Sequence, residues 1–442
     1  MRSRLLVVAT GMAAHALLVA APPAWAQAVR LTMDEAIARS LETSHRLAEL
    51  DARVEAGRAR VDGAEAIGRP LVAAIGGYTR TNHIDEFGVP QPDGSIRIIF
   101  PDIPDNYRGR LDLQWPIYTA GRADALAHAA RSEVAAAGDE LRAARADLRL
   151  EVTRAFWALV TARHTVRVFD EALRRTDAHL RDVRNRLDAG LVAPNDVLTA
   201  EARRARQEVQ LIEARNVVDA ATADLGRLTG LRPGTPIEPD AALTAGRLPA
   251  EPDAALVEEA QAARAERAAI EHRVEAAGAQ REAAGAGARP QVSVIGGVDY
   301  ARPNPRILPR RAEWDSSWDL GVTLSWSLWD GGRVKAHSAE ASAVERAARE
   351  RLREFDRTLA ADVPQRRLDL ASGLAAIRAA EVAVRSAAEA RRVVDERFRA
   401  GVATSTDVLD AQVELLAAEL DYTRAIANSR LAEARLTRVL GR

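Results

Sequence analysis

Hydrophobic and polar positions follow one rhythm after another along this chain. The first is an apolar run, Leu5 to Ala21, behind Arg2 and Arg4 and ahead of Pro22-Pro23-Ala24-Trp25-Ala26. A basic start, an apolar middle and an Ala-x-Ala end predict a secretory signal over residues 1–26, cut before Gln27. No later stretch reaches the roughly 18 continuous apolar residues of a transmembrane helix. A helical pattern over about 32–67 stops before Pro70. A short β segment over about 71–80 and a turn-rich segment over 87–106 precede a second strand over about 108–118. In that strand Leu111, Leu113, Trp115 and Ile117 alternate with polar Asp112 and Gln114. From about 119 to 189 helical spacing runs without a proline, which at 1.5 Å per residue predicts a rod on the order of 100 Å. Gly190 breaks it, and a return helix is predicted over about 196–228.

The same series is then written again. Arg53-Val54-Glu55-Ala56 recurs as Arg273-Val274-Glu275-Ala276, and Ile75-Gly76-Gly77 as Ile295-Gly296-Gly297, each at an offset of 220. Trp115 recurs as Trp326 and Asp196-Val197-Leu198 as Asp407-Val408-Leu409, now at an offset of 211. Constant offsets over such lengths predict two tandem copies of one unit. The copies are residues 27–230 and 256–442, joined by a proline-rich connector over 231–255. The second copy repeats the helix (253–286), two strands (about 291–302 and 316–329), a long helix (332–400) that Pro364 is expected to kink, and a return helix (407–440). In the last of these Leu409, Val413, Leu416 and Leu420 form a coiled-coil stripe.

The strand over 316–329 has the clearest alternation. Trp318, Leu320, Val322, Leu324, Trp326 and Leu328 interleave with Asp319, Gly321, Thr323, Ser325 and Ser327. Trp318 and Trp326 stand on one face about 26 Å apart, close to the apolar band of an outer-membrane barrel with its aromatic girdles. A soluble sandwich strand with one wet face is the competing reading. Trp115, Tyr118, Trp314, Trp318, Trp326 and Trp329 are the candidate interface aromatics. Four strands per chain cannot close a barrel, and open sheet edges are not tolerated in hydrocarbon, so a membrane sheet demands several chains.

Composition narrows the function. With no cysteine, thiolate chemistry, disulfides and thiolate metal sites are excluded. A net charge of −1 argues against a dedicated nucleic-acid binder. Neither a serine elbow, a phosphate loop nor histidine spacing for a metal occurs, so no enzyme and no cofactor are expected. What remains is a conduit, or alternatively a non-pore periplasmic coiled-coil scaffold or adaptor.

The signal segment, the duplicated helix-strand-strand-helix-helix plan, Trp326-Ser327-Leu328-Trp329-Asp330-Gly331-Gly332-Arg333 and the two Arg-x-x-Ala-Gly breaks resemble the TolC family of outer-membrane efflux channels. The resemblance covers essentially the whole mature chain. It implies a mostly α protein with membrane β: a homotrimer with one twelve-stranded barrel continued by an α-helical periplasmic tunnel in the outer membrane of a Gram-negative bacterium. It also implies a periplasmic membrane-fusion adaptor and an inner-membrane transporter as partners. On it, Gly190, Leu191, Val192, Asp196, Gly401 and Val402 are candidate adaptor-contact tips, and Asp407 and Asp410 a candidate gate ringed by carboxylates. An acid at a helix start is also ordinary helix electrostatics. Asp196 has only Thr199 as its partner position in the first copy. The family's tyrosine and arginine latch positions fall on Phe398 and Ala403, so its latch is not expected here.

Overall fold

A computed structural model describes residues 28–442, and the predicted signal segment lies outside the described residues. The first copy contains β1 (Val29–Leu31), α1 (Met33–Thr43), α2 (His45–Ala66), β2 (Leu71–Arg80), β3 (Phe87–Pro90), β4 (Ile96–Phe100), β5 (Asp105–Tyr118), α3 (Arg122–Asp188) and α4 (Pro194–Leu228). The connector holds β6 (Ile237–Pro239), which pairs in parallel with β1. The second copy contains α5 (Asp253–Ala263), α6 (Ala265–Gly285), β7 (Gln291–Arg302), β8 (Asp315–Ser325), α7 (Arg333–Arg399) and α8 (Ser405–Val439).

The long helices pack as neighbours because they carry small or branched apolar residues on facing stripes. Two cores show the duplication at the level of single side chains. In the first, Leu148, Val152, Leu159, Leu225 and Leu228 are buried together. In the second, Leu359, Val363, Leu370, Leu436 and Val439 occupy the equivalent positions. Ala36 of α1 and Leu256 of α5 close the two cores from the short-helix side.

Several sequence expectations are corrected. The helix predicted over 32–67 is broken at Ser44, which is extended (φ −72°, ψ 110°) and whose hydroxyl accepts from Leu47 N at 3.3 Å. That hydroxyl satisfies a free N–H at the start of α2. The helix predicted over 253–286 breaks at the equivalent Arg264 (φ −70°, ψ 116°), whose guanidinium donates to the Arg438 carbonyl at 3.2 Å. The long helix expected over 332–400 is matched by α7, which runs through Pro364. The turn-rich 87–106 segment contains the β3–β4 hairpin, closed where the Asp93 carboxylate accepts from Ser95 N at 3.0 Å. The strand expected from 108 starts at Asp105, and the strand expected to reach 329 ends at Ser325. There the Trp326 indole N–H donates to the Ala288 carbonyl at 3.1 Å. Asp330 then accepts from Gly332 N and Val334 N at 2.9 and 2.8 Å, drawing the chain out of the sheet into α7.

Candidate pore and its two ends

The main sheet has the order β2-β5-β7-β8, antiparallel throughout, with β2 and β8 as open edges. Register places partners on one face, so the two faces can be read residue by residue. One face carries Val72, Leu111, Trp115, Val298, Trp318, Leu320, Val322 and Leu324. These are exposed: Trp318 is 72% and Val322 70% accessible. Leaving such side chains in water forfeits about 1.5–3 kcal/mol apiece, so this face requires an apolar cover.

The other face is charged. Arg108 donates to Asp299 at 2.5 Å, and Arg110 joins Asp112 at 2.6 Å, Asp319 at 3.0 Å and Asp299. Thr323, Gly321, Ser317 and Thr79 continue it. Aromatic residues mark both ends of the apolar face. At the end away from the helices Tyr78 lies 5.0 Å from Tyr107, and Trp314 stacks on Tyr300 at 4.9 Å. At the helix end stand Trp115 and Tyr118 in β5, with Trp326 and Trp329 just past β8. Sequence reasoning found Trp115, Tyr118, Trp314, Trp318, Trp326 and Trp329, all exposed. It missed Tyr78, Tyr107 and Tyr300, and it missed the arginine–aspartate network. The polar parity of Arg108, Arg110, Asp112 and Gln114 was the available signal.

The far ends of the long helices form a second constellation. α3 closes on Gly190 (φ +72°), with Leu191 N donating to Arg186 O at 2.8 Å. α7 closes on Gly401 (φ +77°), with Val402 N donating to Arg397 O at 2.9 Å. Left-handed glycine with this bond is a helix-ending motif that an L side chain strains. Leu191 and Val402 project into solvent at 71% and 64% accessibility, while Val192 turns inward against a small core of Val183, Val197 and Leu409. Asp196 lies in the first turn of α4.

The two predicted gate carboxylates differ in surroundings. Asp407 accepts from Thr404 N and Thr404 Oγ1, both at 2.8 Å, and Asp407 N donates back to Thr404 Oγ1 at 3.2 Å. This capping box occupies one carboxylate oxygen, and the Thr404 backbone N–H holds the carboxyl below its usual range. Asp410, one turn on, is 64% accessible and lies 3.3 Å from Arg203 of α4.

Behind them, α8 is tied to α3 by a polar ladder absent from the sequence reading. Arg175 forks onto Glu419 at 3.3 and 2.8 Å. Thr176 donates to Gln412 at 3.0 Å, and His179 meets the Ser405 hydroxyl at 2.9 Å. Burial pushes the His179 imidazole down, so it stays neutral near pH 7. Phe398 is buried beneath the Arg186 guanidinium at 4.3 Å, and Arg186 donates to the Phe398 carbonyl at 3.1 Å. Ala403 packs partly buried against this same core. Among the described residues, no helix is long and apolar enough to cross a membrane.

Comparison with known proteins adds an independent line. A model of the family described as outer membrane efflux protein matches residues 36–231 and 256–442. The chain is 24% identical over 306 residues to the outer membrane protein TolC of Vibrio cholerae, covering 69% of this chain and 70% of that protein. Its fold superposes on that of the outer membrane protein VceC of Vibrio cholerae with a TM-score of 0.79 at 22% identity, covering 92% of this chain and 96% of that one. The outer-membrane channel OprN gives a TM-score of 0.77 at 22% identity, covering 92% and 89%. The two-faced sheet, the paired long helices and the match across both copies together show that the chain belongs to the outer membrane efflux protein family.

Proposed function

We propose that three copies of this chain close one twelve-stranded barrel in the outer membrane of a Gram-negative cell and serve as the exit duct of a tripartite export system. The observation that carries this reading is the sheet itself: apolar on one face, ion-paired on the other, with both edges open. Hydrocarbon does not tolerate an open edge, and edge β8 of one copy against edge β2 of the next satisfies both. The apolar face then meets lipid and the charged face lines the lumen. The α3–α4 and α7–α8 hairpins leave the sheet on one side and continue as a periplasmic tunnel. Its tips, at Gly190, Leu191, Asp196, Gly401 and Val402, meet a membrane-fusion adaptor that links the duct to an inner-membrane transporter. The apolar exposure of Leu191 and Val402 at those turns supports a protein contact there.

Asp407 and Asp410 form the acidic gate of this reading; Asp407 also caps α8 and Asp410 also pairs with Arg203, so Asp410 is the position whose removal leaves the cap in place. Rings of carboxylates select cations and bind multivalent ones. The test is conductance in a planar bilayer. Purified trimers are expected to pass a small cation-selective current that trivalent cations block. Asp410→Ala is expected to relieve the block while the helix cap stays intact. A folded monomer in detergent, or unchanged block in Asp410→Ala, would refute the duct or the gate respectively.

A further inference from the structure

The link between β7 and β8, residues 303–314, is tied back to the sheet through Asn304 and Arg306. Asn304 is 2% accessible, and its side chain donates to the Asp315 carbonyl at 3.0 Å and to Ser317 Oγ at 3.1 Å. Arg306 reaches back down the sheet, donating to Asp319 Oδ1 on the charged face and to the Trp318 carbonyl at the open edge of β8, both at 2.8 Å; once β2 of the next copy takes that edge, the Asp319 pair is what holds Arg306. Asp319 sits four residues below the start of β8, about 13 Å along the strand. Pro303, Pro305 and Arg310 cover Gly77, Thr79 and Arg108 across a 410 Å³ cavity. These last three stand on the charged face of the sheet. The β3–β4 hairpin braces the link from outside: Arg310 N donates to the Ile99 carbonyl at 3.1 Å, and the Arg310 guanidinium lies 5.5 Å from the Phe100 ring.

We propose that the 303–310 part of this link is an outer constriction of the duct, folded into the lumen and held there by the Arg306–Asp319 clamp, while Trp314 stays on the apolar face against Tyr300. The proposal rests on the reading of the charged face as the lumen. Twelve strands at the usual spacing and tilt enclose a barrel roughly 24 Å across between backbones. A layer of chain packed face to face on a sheet sits about 10 Å from it, so three inward links nearly meet at the axis. The exit is then narrowed at a second place, remote from the acidic tip and built from different residues. The clamp can release without disturbing the barrel, because Asp319 keeps its second partner, Arg110, at 3.0 Å.

The chain has no cysteine, so single introduced thiols report cleanly. Thr323→Cys places a thiol on the charged face below the link, and Val322→Cys one on the apolar face. Intact cells carrying the full-length protein are treated with a small maleimide and with a polyethylene-glycol maleimide too large for general porins. With the clamp intact, the small reagent is expected to label Thr323→Cys and the large one to label it slowly. Arg306→Ala, and independently Arg306→Glu, is expected to speed the large-reagent labelling about tenfold, as loss of hydrogen bonds from one charged group implies. Equal large-reagent rates with and without Arg306 in correctly assembled protein would overturn the constriction while leaving the duct standing. Failure of even the small reagent at Thr323→Cys in the released variants, or identical labelling of Thr323→Cys and Val322→Cys, would overturn the lumen assignment and the constriction with it.

Discussion

Arg175→Met tests whether the ladder between α3 and α8 holds the tunnel entrance shut. Arg175 and Glu419 are only 15% and 23% accessible, and two N–H groups of one meet two oxygens of the other. Removing one partner of a fully buried pair costs 3–5 kcal/mol. Partial exposure here lowers that to about 2 kcal/mol per chain. In the proposed duct, a gate that widens by α8 sliding on α3 breaks this pair, which assigns its energy to the closed state of that reading. In a trimer moving together the loss is about 6 kcal/mol, or roughly four orders of magnitude in the open-to-closed ratio. Single-channel recording is expected to show a short-lived or rare open state become dominant. Arg175→Met/Glu419→Met removes both charges and leaves an apolar pair, and it is expected to restore much of the closed population. Folded Arg175→Met trimers with the parental open probability would refute the reasoning. So would a double variant as open as the single.

Two further outcomes follow from the same region. Thr404→Ala removes the cap of α8 and is expected to cost about 1 kcal/mol of stability per chain, read as a lower thermal midpoint; the Asp407 carboxyl should then titrate nearer its usual value, seen by NMR of the labelled side chain. His179, faced by Asp182 and Arg186 of α3, Asp395 of α7 and Ser405 of α8, has its pKa lowered below 6.5 by burial. Its folded form therefore binds fewer protons than its freed form, and the α3–α8 contact is at full strength above about 6.5 and weakens as the pH falls below it. Open probability is expected to rise on acidification, and His179→Gln to remove that dependence.

The long helices and the duplication were legible because their signals are local: proline-free periodicity, glycine stops and repeated words. The β alternation was legible for the same reason, and it separated Trp318 and Val322 from Asp319 and Thr323 correctly. The strand's end was not, because Trp326 and Leu328 keep the alternating parity while Asp330 captures the first N–H groups of α7. The breaks at Ser44 and Arg264 were hidden because apolar spacing resumes at once beyond each. The arginine–aspartate network and the α3–α8 ladder join residues far apart in sequence, such as Arg110 with Asp299 and Thr176 with Gln412. Such pairs depend on the register between the two copies, which no window along one copy contains. The packing of residues 303–310 over the charged face was equally invisible, since its prolines mark only that the chain turns.

The central pairing of the sheet, β5 with β7, joins residues of different copies, with Arg110 opposite Asp299. Contacts within α3–α4 or α7–α8 close short loops, whereas this one must wait for nearly two hundred residues of chain. Helical hairpins and the local strand pairs therefore form early, and the β5–β7 joint that completes the sheet forms late. For a chain in transit that order matters: until β5 meets β7 the strands exist only as two separate pairs, β2–β5 and β7–β8, and the four-stranded apolar face is not yet assembled. Pulse-labelled amide exchange would record this as protection of α3 and α4 before the amides bonded between β5 and β7.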